Sequence, residues 1–254
     1  SREQAGFRAT GPVRDHTLPR QDAMKTAGVV AAALLASPAV ALELRAEEAC
    51  ACIDWMSHWA RMGGCNFGDE FCVGFFQHLP DPVCTNDGMG PDSKQICPVS
   101  TKCKHLNGGH KDASGAFKFC GENDLRTRAM APQELWGYAE KYDLDMGLLV
   151  KMAYPVKKDV KWDVARDFWV KKPAELTLSE QQKTVLQAYA DLGTTQVIES
   201  NSGHPPFAVV QGNKAWEITM RSEVFAEAMK KTGDVKSVWE HPHQVTSLTC
   251  IAGC

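Results

Sequence analysis

The placement of ten cysteines constrains this chain more than any other feature. Cys50, Cys52, Cys65, Cys72, Cys84, Cys97, Cys103 and Cys120 crowd one stretch, none lies between Cys120 and Cys250, and Cys250 and Cys254 close the sequence. An even count behind an apolar N-terminal segment reads as a disulfide framework made outside the reducing cytosol. The expectation is that all ten cysteines form disulfides. Turn formers fill the same stretch: Asn66-Phe67-Gly68-Asp69, Pro80-Asp81-Pro82, Asn86-Asp87-Gly88, Gly90-Pro91-Asp92 and Asn107-Gly108-Gly109. So many breakers predict little regular structure, held by cross-links that each contribute roughly 2–4 kcal/mol. Eight cysteines allow on the order of a hundred pairings, so connectivity stays open.

Ahead of this framework, Thr26 to Leu42 contains no charge and follows Met24-Lys25, with Ala39-Val40-Ala41 near its end. A basic residue, an apolar core and a small-x-small site have the form of an export signal cut after Ala41. The leading residues, rich in Arg, read either as sequence upstream of a start at Met24 or as part of a bipartite address to an organelle lumen. If uncleaved, residues 24–42 become a single membrane anchor at the lower limit of length. Each reading places the rest of the chain in an extracytoplasmic oxidising compartment: the secretory pathway or extracellular space, or a lumen such as that of the thylakoid.

The expected organisation is therefore a leader over 1–41, a cysteine-rich region over 42–120 and an α+β domain with a cysteine-tethered tail over 121–254. A helix is expected from Glu43 to Met62, with Trp55 and Trp59 four residues apart and Gly63-Gly64 as its stop. In the last region, Pro132 to Tyr142, Asp145 to Ala153 and Trp162 to Val170 carry helical patterns, and Thr177 with Glu180 forms a capping box. Phe207 to Gln211 and Ala215 to Met220 flank Gly212-Asn213 as a β-hairpin. Ser222 is placed to cap a last helix ending at Gly233. The fold class is α+β: an irregular disulfide-rich part, then several helices and a hairpin.

A net charge of −3 gives no electrostatic footprint for nucleic acid. The basic residues from Lys151 to Lys172 read as a solvated helix face. Zinc knuckles need C-x₂₋₄-C pairs, and the cysteine-rich stretch has none, although His58, His78, His105 and His110 lie within it. His241-Pro-His243 and His204 are weighed as copper or zinc ligands and read as surface residues beside turns. Glu47-Glu48, Asp69-Glu70 and Asp143/Asp145 set no defensible acid–base geometry. No nucleophile elbow, H-E-x-x-H, P-loop or dinucleotide fingerprint occurs, and the sequence leaves any cofactor unknown.

Asp81-Pro-Val-Cys84-Thr-Asn-Asp87-Gly88 resembles the DPVC-x-x-DG stretch of Kazal-type protease-inhibitor domains. The resemblance covers those eight residues and implies a secreted inhibitor that presents Val83 to Gly88 as an exposed, rigid loop. The leading functional expectation is a non-enzymatic binding or structural protein. Its sharpest form is an accessory subunit of a membrane protein complex, such as a thylakoid photosystem, with Trp55, Trp59 and Trp136 as interface residues. A secreted enzyme is the alternative, favoured by a deep pocket that holds His204, His241 or His243 beside a carboxylate.

Overall fold

The computed structural model describes residues 48–65, 67–233 and 241–254. The leader, the segment 24–42 and the first part of the expected Glu43 to Met62 helix lie outside the described residues. Helix α1 runs Trp55–Arg61, because the Asp54 carboxylate caps it by accepting from the Ser57 N–H at 2.6 Å. Upstream, the Ile53 N–H donates to the Pro98 carbonyl, and Cys50 and Cys52 are bridged to Cys103 and Cys97. Helix at Glu48-Ala49 therefore breaks at Cys50 to Asp54, where the pattern predicted it to continue. A one-turn helix α2 follows (Asp69–Cys72), closed by the Cys65–Cys72 bridge.

The cysteine-rich region is mostly turns and loops, as expected, but it also holds a small sheet. Strands β1 (Thr85–Asn86), β2 (Gln95–Val99), β3 (His110–Asp112) and β4 (Gly115–Phe119) form an antiparallel sheet in the order β1-β2-β4-β3. The breakers occupy the connections between short strands rather than dissolving them. Cys52–Cys97 and Cys84–Cys120 anchor the sheet to its flanking segments. Cys250–Cys254 is a local bridge. With all ten cysteines paired, the fold is consistent with an oxidising extracytoplasmic environment.

Helices α3 (Pro132–Tyr142) and α4 (Met146–Ala153) come next, then strand β5 (Val156–Lys157), α5 (Trp162–Val170) and α6 (Glu180–Asp191). The capping box of α6 is Ser179 with Gln182 rather than Thr177 with Glu180. The Ser179 hydroxyl accepts from the Gln182 N–H, and the Gln182 side chain accepts from the Ser179 N–H. Strands β6 (Gln196–Ile198), β7 (Phe207–Gln211) and β8 (Lys214–Met220), helix α7 (Ser222–Thr232) and strand β9 (Thr246–Ala252) complete the chain. The second sheet has the order β5-β6-β7-β8-β9, parallel only between β5 and β6. The expected hairpin is β7–β8, turning at Gly212 with a positive φ of 57°. Ser222 is the first helical residue of α7, and the cap position, Arg221, makes no side-chain bond.

One apolar core crosses the boundary drawn at residue 120: Phe75, Phe76, Leu79 and Val83 belong to the same cluster as Leu135, Leu149, Ile198 and Phe207. Helix α4, apolar on nearly every side, is buried along its whole length. Lys151 sits on it and is buried, so the basic run from Lys151 to Lys172 is not one solvated face. A polar seam stitches β1 to α4. The Asn86 amide donates to the Lys151 and Tyr154 carbonyls at 2.9 and 2.8 Å, and Arg128 donates to the Asn86 side-chain oxygen at 2.6 Å.

Candidate functional site: two adjoining cavities

The aromatic residues of α1, the segment behind it and β4 leave a cavity of about 390 Å³. Trp55 and Trp59 project from one face of α1, being four apart, and Phe76 and Phe117 meet them there. The rings of Trp55 and Phe76 are 4.9 Å apart, Trp59 and Phe67 stand edge to face at 5.2 Å, and Trp55 stacks on Phe117 at 6.0 Å. Ile96 and Met152 add aliphatic wall. The open side is marked by exposed residues: Phe67, Asp87, Gly88, His110 and Asp112.

Trp55 and Trp59 are 3% and 4% exposed. They are therefore cavity wall, not the exposed interface patch expected of them. Trp136 is half-buried against the core, away from this cavity's lining. The Trp55 indole donates to the Val83 carbonyl at 2.9 Å, whereas the Trp59 indole N–H and the Thr85 hydroxyl have no hydrogen-bond partner among the described residues. Buried polar groups are normally paired, so two orphans on lining residues mark the cavity as polar-capable as well as aromatic. Behind Trp59 lies His58, edge-on to the rings of Trp59 and Phe117. Burial holds its imidazole below the ordinary histidine range, with a Ser114 backbone bond opposing. A Cβ at Gly115, whose φ is 128°, would stand 2.6 Å from the His58 ring, so glycine there admits the imidazole.

A second cavity, about 400 Å³, adjoins the first. Phe71 and Met89 line both and form the partition. Its wall carries Glu70, Asp145, Glu199, Lys151 and His204. The Lys151 ammonium pairs with Glu199 at 3.3 Å, donates to the Gly203 carbonyl and lies 4.5 Å from the centre of the Phe207 ring. Asp145 caps α4, accepting from the Leu148 N–H at 2.6 Å. Burial pushes its carboxyl up to about 6, against that hydrogen bond and with the help of nearby Glu70. A third concavity is basic, lined by Lys94, Arg126 and Arg128.

The other predicted site residues are dispersed. His204 lines the second cavity, as those carboxylates do, while His241 and His243 lie in neither cavity. Both direct Nδ1 to Asp143, His241 at 2.8 Å. Asp143 ends α3 in the left-handed conformation, so the pair ties the 241–245 turn to that helix. Burial opposes the Asp143 charge, but the hydrogen bonds from His243 and His241 outweigh it and hold the carboxyl below its usual range. Among the described residues, the sulfurs of Cys52, Cys84, Cys97 and Cys120 lie within 4.8 Å of one another, and all four are spent on two bridges. In the Kazal-like stretch, Val83 to Asn86 is buried while Pro82, Asp87 and Gly88 are exposed, so Val83 to Gly88 is not exposed along its whole length.

Among the described residues no helix is long and apolar enough to cross a membrane. No protein family, characterised protein or solved structure matches this chain. Sequence reasoning missed the aromatic cavity because its lining comes from six separate segments. The one legible signal was the i,i+4 spacing of Trp55 and Trp59.

Proposed function

We propose that this chain is a non-enzymatic binding protein of an oxidising extracytoplasmic compartment, and that it binds a small, largely apolar molecule in the aromatic cavity. The observation that supports this reading is the cavity itself: several hundred cubic ångströms walled by tryptophan and phenylalanine, as ligand pockets are. Three long-range disulfides fix the sheet from which part of that wall is built, so the site is preorganised and little ordering accompanies binding. Delivery by the 24–42 segment and docking of the chain on a membrane complex are finer expectations, carried by the leader sequence alone.

Two-dimensional NMR of the full chain tests the reading through the Trp55 and Trp59 indole N–H signals, with small neutral aromatic alcohols as probes. Saturable shifts at these two signals are expected. In Gly88→Trp, where a Cβ meets nothing within 4 Å and a ring can fill the opening, apparent affinity should fall at least about tenfold. Shifts that never saturate, or that survive the substitution unchanged, sink the reading.

The second cavity favours an alternative, a secreted enzyme, because His204, Glu70, Asp145 and Glu199 all line it. This alternative predicts turnover of some ester, glycoside or peptide substrate that His204→Ala abolishes. No turnover across such a panel removes it.

A further inference from the structure

We infer that the aromatic cavity selects an organic cation, a quaternary or protonated amine on an apolar body, an inference that rests on the binding reading above. Its lining pairs tryptophan and phenylalanine rings with two carboxylates, Asp87 and Asp112, and contains no lysine or arginine. Aromatic faces attract a cation through their quadrupole, tryptophan most strongly, and the attraction grows when the cation is desolvated. Anions placed at the entrance of a low-dielectric cleft focus the same preference.

The two carboxylates are left to the cavity because neighbouring cations are engaged elsewhere. Lys111, between His110 and Asp112 in the sequence, donates its ammonium to the Thr101 carbonyl at 2.8 Å. Lys94 lies over the Phe119 ring, 4.6 Å from its centre. Arg128 is near enough to feel the Asp87 charge, yet its guanidinium is bonded to the Asn86 side chain and the Ser93 carbonyl. Among the described residues, His110 is the only basic side chain paired with either acid, at 3.3 Å from Asp112. The orphaned Thr85 hydroxyl and Trp59 indole, both on nine-tenths-buried lining residues, leave hydrogen-bonding capacity for a polar substituent on the same ligand. An anionic ligand would meet two like charges and no lysine or arginine among the described lining residues, and the basic concavity lined by Arg126 and Arg128 is a separate place.

The test uses a pair of isosteres, choline and 3,3-dimethylbutan-1-ol, which differ in replacing a cationic nitrogen by carbon. Both are titrated at pH 8 into the full chain, and the Trp55 and Trp59 indole signals are followed. Choline should saturate these signals at a concentration about tenfold lower than the neutral alcohol. In Asp87→Asn/Asp112→Asn that preference should fall to about twofold or less. Asparagine keeps the oxygens that accept from the Lys94 and Ser114 N–H groups, so the turns are preserved. Equal affinity for the two compounds overturns the cation inference while leaving the binding reading intact. Failure of both compounds, and of the neutral aromatic alcohols, to shift either signal at about 50 mM overturns both.

Discussion

Asp145 carries two duties that conflict. It supplies the cap of α4, which calls for a hydrogen-bond acceptor, yet it is fully buried, where a charge is costly. With its carboxyl pushed up to about 6 in the fold, against an ordinary value of 3.8, the native state holds the proton more tightly than the unfolded chain. Its contribution to stability is therefore complete below about pH 4 and is lost as pH rises through 6. An asparagine side chain in its place would keep the cap without the charge. Asp145→Asn should match the parent at pH 4 and exceed it at pH 7.5 by on the order of 2–3 kcal/mol in urea unfolding. A variant less stable at both pH values would show that the ionised form is paired well enough to offset its burial. His58 acts in the opposite sense: its lowered titration makes it resist protonation, so its contribution is lost as pH falls below the usual histidine range.

At the scale of elements, β1 is only two residues long, and beyond its pairing with β2 its hydrogen-bonded link to α4 runs through one side chain. Asn86 satisfies the Lys151 and Tyr154 carbonyls at the end of α4, and it is itself fixed by Arg128. Asn86→Ala strips acceptors and donors from a buried seam, at about 1–3 kcal/mol for each group left unpaired. The expected result is a loss of about 2–4 kcal/mol in chemical unfolding, accompanied by faster hydrogen exchange in β1 and the last turn of α4. A loss below about 0.5 kcal/mol would mean that water replaces the amide without cost. Helix starts differ in how plainly the sequence marks them, and the reason is physical. Asp145 ahead of α4 is legible because cap and apolar run adjoin. The box ahead of α6 lies two residues later than the pattern predicts, since Thr177/Glu180 and Ser179/Gln182 both satisfy it and only backbone direction chooses between them.

Across the whole molecule, disulfides and core divide the work of stabilisation. Cys50–Cys103, Cys52–Cys97 and Cys84–Cys120 close loops of 53, 45 and 36 residues. In the chain-entropy picture such closures are worth about 4 kcal/mol each, and the two short loops roughly half of that. The second sheet, by contrast, supplies much of the shared apolar core and carries no bridge beyond the local one at β9. Reduction under native conditions should therefore abolish the Trp55 and Trp59 probe response first. The slow-exchanging amides of β6, β7 and β8 should be the last to open. Simultaneous loss of both would show that the shared core makes the two sheets one cooperative unit.

Local and compositional information was enough for several features of this protein. The cysteine pool, the α+β class, the helices from 132, 145 and 162 and the β7–β8 hairpin follow from spacing, capping and turn chemistry within a few residues. The four-stranded sheet of the cysteine-rich region was not legible, because its strands are two to five residues long and alternate with breakers that dominate any local window. Which cysteines pair, which way Trp55 and Trp59 face and which acids share a cavity depend on contacts between distant segments. Asp87 follows β1 and Asp112 ends β3, and only the pairing of β1 with β2, β2 with β4 and β4 with β3 brings both to the lining of one cavity. The residue types set what chemistry the chain carries, while long-range pairing decides where that chemistry converges.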